Sequence, residues 1–236
     1  MAGGKSQSQS QSPNLPISNL QSPISNLQSP PAMSRLLTWS RRLQALAQSG
    51  LAYATSPYDV ERYTGIRRVA AEMIAAADDP DATKMEARLA LEEGYATPKI
   101  DVRGACFDNG RILLVRERSD GLWTLPGGWA DVHEGPRQAV EKEIREESGY
   151  EARAVKLFAV WDKEQHNHPP DLFHIWKLVL LCEIVGGAAA HSMETDGVGF
   201  FSLDNLPPLS LERITPRQIA RLFALHAHPH APTEFD

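Results

Sequence analysis

The sequence predicts an α/β domain over residues 95–230, an all-α module over residues 33–94 ahead of it, and a low-complexity tail over residues 1–32. Three observations carry this reading. Apolar runs of strand length flank one amphipathic helix in the second half of the chain, and another helix follows the last run. Apolar residues recur at helical spacing through the module. The tail repeats itself and has no such spacing.

Gln-Ser alternates from Ser6, and a seven-residue unit then occurs twice, Ile17 to Pro23 and Ile24 to Pro30. A seven-residue period suits a coiled coil, but a proline in each unit forbids a continuous helix. The expectation is a disordered tail, with ordered patterning, and translation itself, starting at Met33.

From Ser34 the stripe Leu36, Leu37, Trp39, Leu43, Leu46 and Ala47 predicts a helix ending at Gly50. Ser56-Pro57-Tyr58-Asp59 starts a second helix, with Val60, Tyr63, Ile66, Val69, Ala70, Met73 and Ile74 as its stripe. Asp81 starts a third, reaching Glu93 and stopped by Gly94. These stripes are read as core and dimer surface. Tyr95 to Pro98 is a linker.

Strands are expected at Ile100–Phe107 and Arg111–Arg116, joined at Asp108-Asn109-Gly110, a strong hairpin signal. A loop from Glu117 to Trp123 leads to Leu125-Pro126-Gly127-Gly128, whose glycines let backbone approach a ligand closely. A loop with Asp131, His133 and Glu134 follows. A helix then enters through Gly135-Pro136 and stops at Gly149. Ala152–Trp161 and Phe173–Ile184 are strands around a polar, proline-rich loop, residues 162–171. Gly186-Gly187 turns the chain, Gly199–Leu203 is a last short strand, and Thr215-Pro-Arg-Gln218 is a capping box opening the final helix. His226, His228 and His230 fall in what reads as a frayed terminus.

The central helix carries Glu143, Glu146 and Glu147 at i, i+3 and i+4, which places them on one face, with Ala139, Val140 and Ile144 on the opposite one. Carboxylates that repel one another, facing a close-approach turn, make a set of hard oxygen donors suited to Mg²⁺. The stretch Gly128–Tyr150, GWADVHEGPRQAVEKEIREESGY, resembles the Nudix box, G-x5-E-x7-R-E-U-x-E-E-x-G-U with U apolar. Gly128, Glu134, Glu143, Ile144, Glu146, Glu147, Gly149 and Tyr150 fill its positions, and Lys142 replaces the arginine. Lysine keeps the charge and loses the planar fork.

The resemblance implies the Nudix fold, a mixed sheet between helices forming an α/β/α sandwich. It implies hydrolysis of a nucleoside diphosphate linked to a group X. Glu143, Glu146 and Glu147 would then bind Mg²⁺, with Mn²⁺ as a substitute, and the Gly127 carbonyl would be a further ligand. Glu143 is the first choice of general base, with His166, His168 and Glu194 as loop alternatives. Arg103 and Arg116 are candidates for phosphate, Arg116 the better one. Trp129, like Trp123, could stack on the base, and His168 is a candidate substrate contact. The helical module, the Gly-Tyr-Ala-Thr-Pro linker and Leu122 to Asp131 resemble a bacterial subgroup acting on ADP-ribose or CDP-choline-type diphosphates. In that setting Tyr58 and Tyr63 could cross a homodimer interface to the substrate. Alternatives are an RNA-end pyrophosphohydrolase or exonuclease and a catalytically inactive ligand-sensing regulator. The second would be expected to have lost the glutamates that are present here.

The formal net charge of −6 argues against nucleic acid as the general partner. The 42% hydrophobic content is enough to build a core without staples. Cys106 and Cys182 lie in apolar strand-like runs and read as buried free thiols, consistent with a reducing cytoplasm. No apolar run approaches the roughly 18 residues of a membrane span, and the N-terminus lacks the apolar core of a signal peptide.

Overall fold

The computed structural model describes residues 35–78 and 81–236. The tail and its proposed start at Met33 lie outside the described residues.

Three helices come first: α1 (Arg35–Tyr53), α2 (Pro57–Asp78) and α3 (Ala82–Ala90). Helix α1 runs through Gly50 instead of stopping there. A Cβ at Gly50 would lie 2.3 Å from the Tyr63 ring, so this glycine serves close packing of α1 on α2. Asp81 caps α3 as expected, its side chain accepting from the Thr83 and Lys84 amides. The helix ends before Glu93, because the Leu91 and Glu92 amides turn back to the Arg88 and Leu89 carbonyls.

The expected stripes are partly rephased. Leu37, Ala70, Ala71, Ile74 and Leu89 are buried, together with Ser40, Gln44 and Ala47, whereas Trp39, Leu46, Val60 and Val69 face outward. The small residues sit where α1 and α2 approach each other, which leaves large apolar side chains on the outer surface.

The second part contains a 7-stranded mixed sheet. Its elements are β1 (Lys99–Asp108), β2 (Arg111–Glu117), β3 (Trp123–Thr124), α4 (Pro136–Ser148), β4 (Tyr150–Asp162), β5 (Ile175–Gly187), β6 (Thr195–Phe201), α5 (Pro216–Ala227) and β7 (Glu234–Phe235). The strand order is β3-β2-β1-β5-β4-β7, with β6 on β2. β1 and β2 form the expected hairpin. Asn109 and Gly110 both have positive φ, as the favoured two-residue turn requires. β1 then pairs parallel with β5 through eight registered residues from Lys99↔Ile175 to Cys106↔Cys182.

Alternation along the strands separates two cores. Val102 and Cys106 face α4, where Ala139, Val140 and Ile144 are buried. Ala105, Phe158, Trp161 and Val179 face α5, with Ile219 and Leu222. Full burial of a side chain such as Ile144 contributes about 2 kcal/mol. Cys106 and Cys182 are buried free thiols.

Two expectations need correction here. The last strand before α5 begins at Thr195 instead of Gly199, because Gly197 and Gly199 pair with Arg116 and Leu114 of β2. The terminus does not fray: β7 adds in parallel to β4. Its docking is polar. Trp161 Nε1 donates to Glu234 at 3.1 Å, the Asp162 amide donates to Asp236 at 2.7 Å, and Lys156 donates to the Pro229 carbonyl at 2.8 Å. These donors belong to β4 and are separated by more than seventy residues from their acceptors, so local sequence gives no sign of them.

Candidate active site

The glycine turn lies flat against β1. Val102 N–H donates to the Gly128 carbonyl at 2.8 Å, and Gly104 N–H donates to that of Pro126 at 2.9 Å. The Gly127 carbonyl between them accepts no protein hydrogen bond among the described residues. Gly127 has φ +140°, and a Cβ there would lie 2.0 Å from the Val102 carbonyl oxygen.

Helix α4 ends beneath this turn. Pro136 opens it, Gln138 reaches back to accept from the Gly135 amide at 3.2 Å, and left-handed Gly149 closes it. Glu147 accepts from Gly127 N–H at 2.8 Å. Glu143 faces Gly128, where a built Cβ would lie 3.5 Å from its carboxylate. Glu146 is exposed, 3.8 Å from Arg145.

The three glutamates are therefore not equivalent. Glu147 is only 4% exposed and continues the buried line of Val140 and Ile144, which corrects the expectation of acids and apolar residues on opposite faces. Helical spacing puts residues 140, 144 and 147 in one row, and the turn covers the last of them. Among the described residues no three His, Cys, Asp or Glu side chains converge as a ready metal cage.

Electrostatics tie the acids together. Burial pushes the Glu147 carboxyl up to about 8, opposed by Arg103 and the Gly127 amide and reinforced by Glu117 and Glu143. Burial also raises Glu143, against Lys142 and with Glu146 and Glu194 adding to the rise. A buried carboxylate in this state lacks compensating positive charge, which fits a hard divalent cation among oxygen donors.

These shifts set the pH dependence of the metal-free protein. Glu147 takes a proton in the folded state that the unfolded chain, near 4.5, does not hold, so its contribution declines as pH rises from 4.5 to about 8. His168 acts the other way below 6.5, because burial lowers it to about 4. Between pH 6.5 and 8 the Glu147 effect is left without that opposition. Stability is expected to fall there by about 1 kcal/mol, less than the full ~1.4 kcal/mol per pH unit, because Glu147 is half-titrated at about 8 and Lys177, which burial lowers to about 8, begins to oppose it. Urea melts of metal-free protein at both pH values check this. Glu147→Gln should remove the decline, and an unchanged slope in that variant would refute the assignment.

Lys142 bridges two loop acids, Asp131 at 2.8 Å and Glu134 at 3.3 Å, so the lysine at the arginine position clamps the 131–134 loop onto α4. Arg103 is buried beside the turn, donating to Asp101 at 2.9 Å and to the Leu125 carbonyl at 3.1 Å. Arg116 is engaged with Asp196 at 2.7 Å, its guanidinium 6.0 Å from the Trp123 ring centre. Trp123 packs edge-on against Phe201 as part of the core, whereas Trp129 is exposed at the turn.

The loop histidines lie elsewhere. His166 is held by Asp236, and His168 donates from Nδ1 to the Leu211 carbonyl at 2.7 Å, with Nε2 buried and without a partner among the described residues. Of the loop alternatives for a base, Glu194 is the one whose charge is felt at Glu143.

Sequence reasoning missed Asp101, Lys177, Glu117 and Arg213. Asp101 and Lys177 form a buried ion pair, and Arg213 joins Glu117 at 3.3 Å to Asp120 at 2.9 Å. A signal was present for three of them: charged residues inside or ending apolar strand runs, where a solvated partner is unavailable.

Two family descriptions match the chain. One is "UDP-X-like, N-terminal oligomerisation domain" over residues 34–89, and the other is "NUDIX domain" over residues 98–223. The Bacillus subtilis protein YjhB, provisionally named an ADP-ribose pyrophosphatase, is 42% identical over 203 residues, 86% of this chain and 98% of its own. A crystal structure of an ADP-ribose pyrophosphatase from Streptococcus suis superposes with TM-score 0.55 at 42% identity, covering 59% of this chain and 100% of that one. A crystal structure of a UDP-X diphosphatase gives TM-score 0.56 at 32% identity, over 86% and 98% of the two chains. With the box on α4, the glycine turn on β1 and helices on both sides of a mixed sheet, the chain belongs to the Nudix family, as a hydrolase of phosphorus anhydrides with a Nudix_N unit ahead of its catalytic domain.

Proposed function

We propose that this hydrolase cleaves the diphosphate of a nucleoside diphosphate linked to X, giving a nucleoside monophosphate and a phosphorylated X. ADP-ribose, CDP-choline and UDP-linked compounds are the substrate class. The observation that carries this reading is the pairing of a buried, charge-deficient Glu147 with the Gly127 amide, with Glu143 against Gly128. Glu143, Glu146, Glu147 and the Gly127 carbonyl would hold Mg²⁺, with Mn²⁺ able to substitute. When bound, the cation neutralises phosphate charge and lowers the pKa of a coordinated water. Exposed Glu146 reaches that position by a change of rotamer. Glu143 accepts the proton of the attacking water, and Arg103 offers its guanidinium to a phosphate oxygen. Trp129 presents an exposed ring to the base, and Arg116 reaches the substrate by leaving Asp196.

Exposed Trp39, Leu46, Tyr53 and Tyr58 on α1 and α2 support a homodimer through the helical unit. No helix among the described residues is long and apolar enough to cross a membrane. A cytoplasmic location accords with the buried free thiols.

Purified protein incubated with ADP-ribose, CDP-choline, UDP-glucose and 5′-triphosphate RNA, followed by ³¹P NMR, tests the proposal. Cleavage of one or more small diphosphates to a nucleoside monophosphate is expected with Mg²⁺ and not with EDTA. Cleavage of the RNA alone would overturn it.

A further inference from the structure

The geometry points to Asp101 and Lys177 as positioning residues that hold Arg103 in place as the hook for a substrate phosphate. This inference rests on the diphosphatase reading above.

Arg103 uses two of its three nitrogens inside the protein. Nε donates to Asp101 Oδ1 at 2.9 Å and Nη1 to the Leu125 carbonyl at 3.1 Å. No acceptor among the described residues takes Nη2. The Leu125 carbonyl that Arg103 holds belongs to the same turn whose Gly127 amide binds Glu147, so the guanidinium lies beside the acidic cleft. A planar guanidinium held at Nε and Nη1 keeps Nη2 aimed in one direction, a suitable arrangement for an oxyanion.

The pinning depends on Lys177. Asp101 and Lys177 are register partners across the parallel β1–β5 ladder, so their side chains leave the sheet on the same face. Lys177 donates to Asp101 Oδ2, the oxygen that Arg103 does not use. With 1% exposure Lys177 is out of any substrate's reach, and its hydrogen bond towards Arg103 runs through Asp101. Two cations share one carboxylate here, so Asp101 alone does not neutralise Arg103. A phosphate oxygen at the cleft would neutralise it. For fold alone such a group is a poor investment, since well-packed apolar residues commonly replace buried ion pairs without loss.

The test is D101N/K177M, which removes the ion pair with near-isosteres, measured with the diphosphate that wild type turns over best. KM is expected to rise about tenfold with kcat within about threefold, because Arg103 loses its fixed direction while the glutamates remain. The discriminating readout is a double-mutant cycle with R103M. If Asp101 and Lys177 act through Arg103, adding D101N/K177M to R103M should leave KM within about twofold of R103M alone. An unchanged KM in D101N/K177M, or an undiminished effect in the R103M background, would overturn the inference. Should the pair fail to fold, K177M alone runs through the same cycle with the same criteria. A wild type inert towards every diphosphate would instead refute the functional reading, so the two failures are distinguishable.

Discussion

Glu147→Gln and Glu146→Gln should each lower Mg²⁺-supported turnover by about 10²-fold or more, since even outer-shell changes at metal sites cost ~10–100-fold. Their effects on the fold should differ. Glu146 is exposed, so its amide costs the protein no packing and little stability. Glu147 is buried on the Gly127 amide. Glutamine can keep that hydrogen bond through its carbonyl oxygen while removing a carboxyl that burial already disfavours in its charged form. Metal-free Glu147→Gln should therefore melt no lower than wild type above pH 7. Initial rates across a Mg²⁺ titration, with thermal melts alongside, separate lost chemistry from lost fold. Wild-type turnover in either variant would sink the metal-ligand assignment.

Gly127→Ala should be the most damaging single-methyl change in the catalytic domain, costing about 3 kcal/mol or more. Its φ of +140° is a region that residues with a Cβ rarely enter. The new methyl would also meet backbone on both counts, 2.0 Å from the Val102 oxygen and 2.9 Å from the Arg103 Cα. Backbone cannot swing aside as a flexible side chain can, so the turn must lift from β1. That breaks the Val102–Gly128 and Gly104–Pro126 hydrogen bonds and moves the amide that Glu147 uses. Gly121→Ala is the control: its φ of +69° is also positive, but a Cβ there meets nothing within 4 Å. Denaturant midpoints of the two variants should differ clearly, and equal losses would show that conformation alone, without the β1 contact, governs Gly127.

The box, the glycine turn and the hairpin were legible because each is written in consecutive residues. Their caps, positive-φ positions and helical spacing act over a few bonds. Gly50 and the C-terminal residues misled for the opposite reason. Gly50 carries the local signature of a helix stop, yet Tyr63 packs onto it and the helix continues. Residues 228–236 look frayed in isolation, yet β4 supplies the partners that order them.

By itself the sequence determined the class of chemistry: which residue types stand at which spacing on α4, and the backbone freedom of the turn they face. Only the tertiary structure decided how those residues differ. It covered Glu147 and left Glu146 in water, tied Arg116 to Asp196, and set Asp101 opposite Lys177 beneath Arg103. The physical reason is range. Propensity and capping are fixed by neighbours along the chain, whereas desolvation and charge pairing depend on which distant strand closes over a side chain.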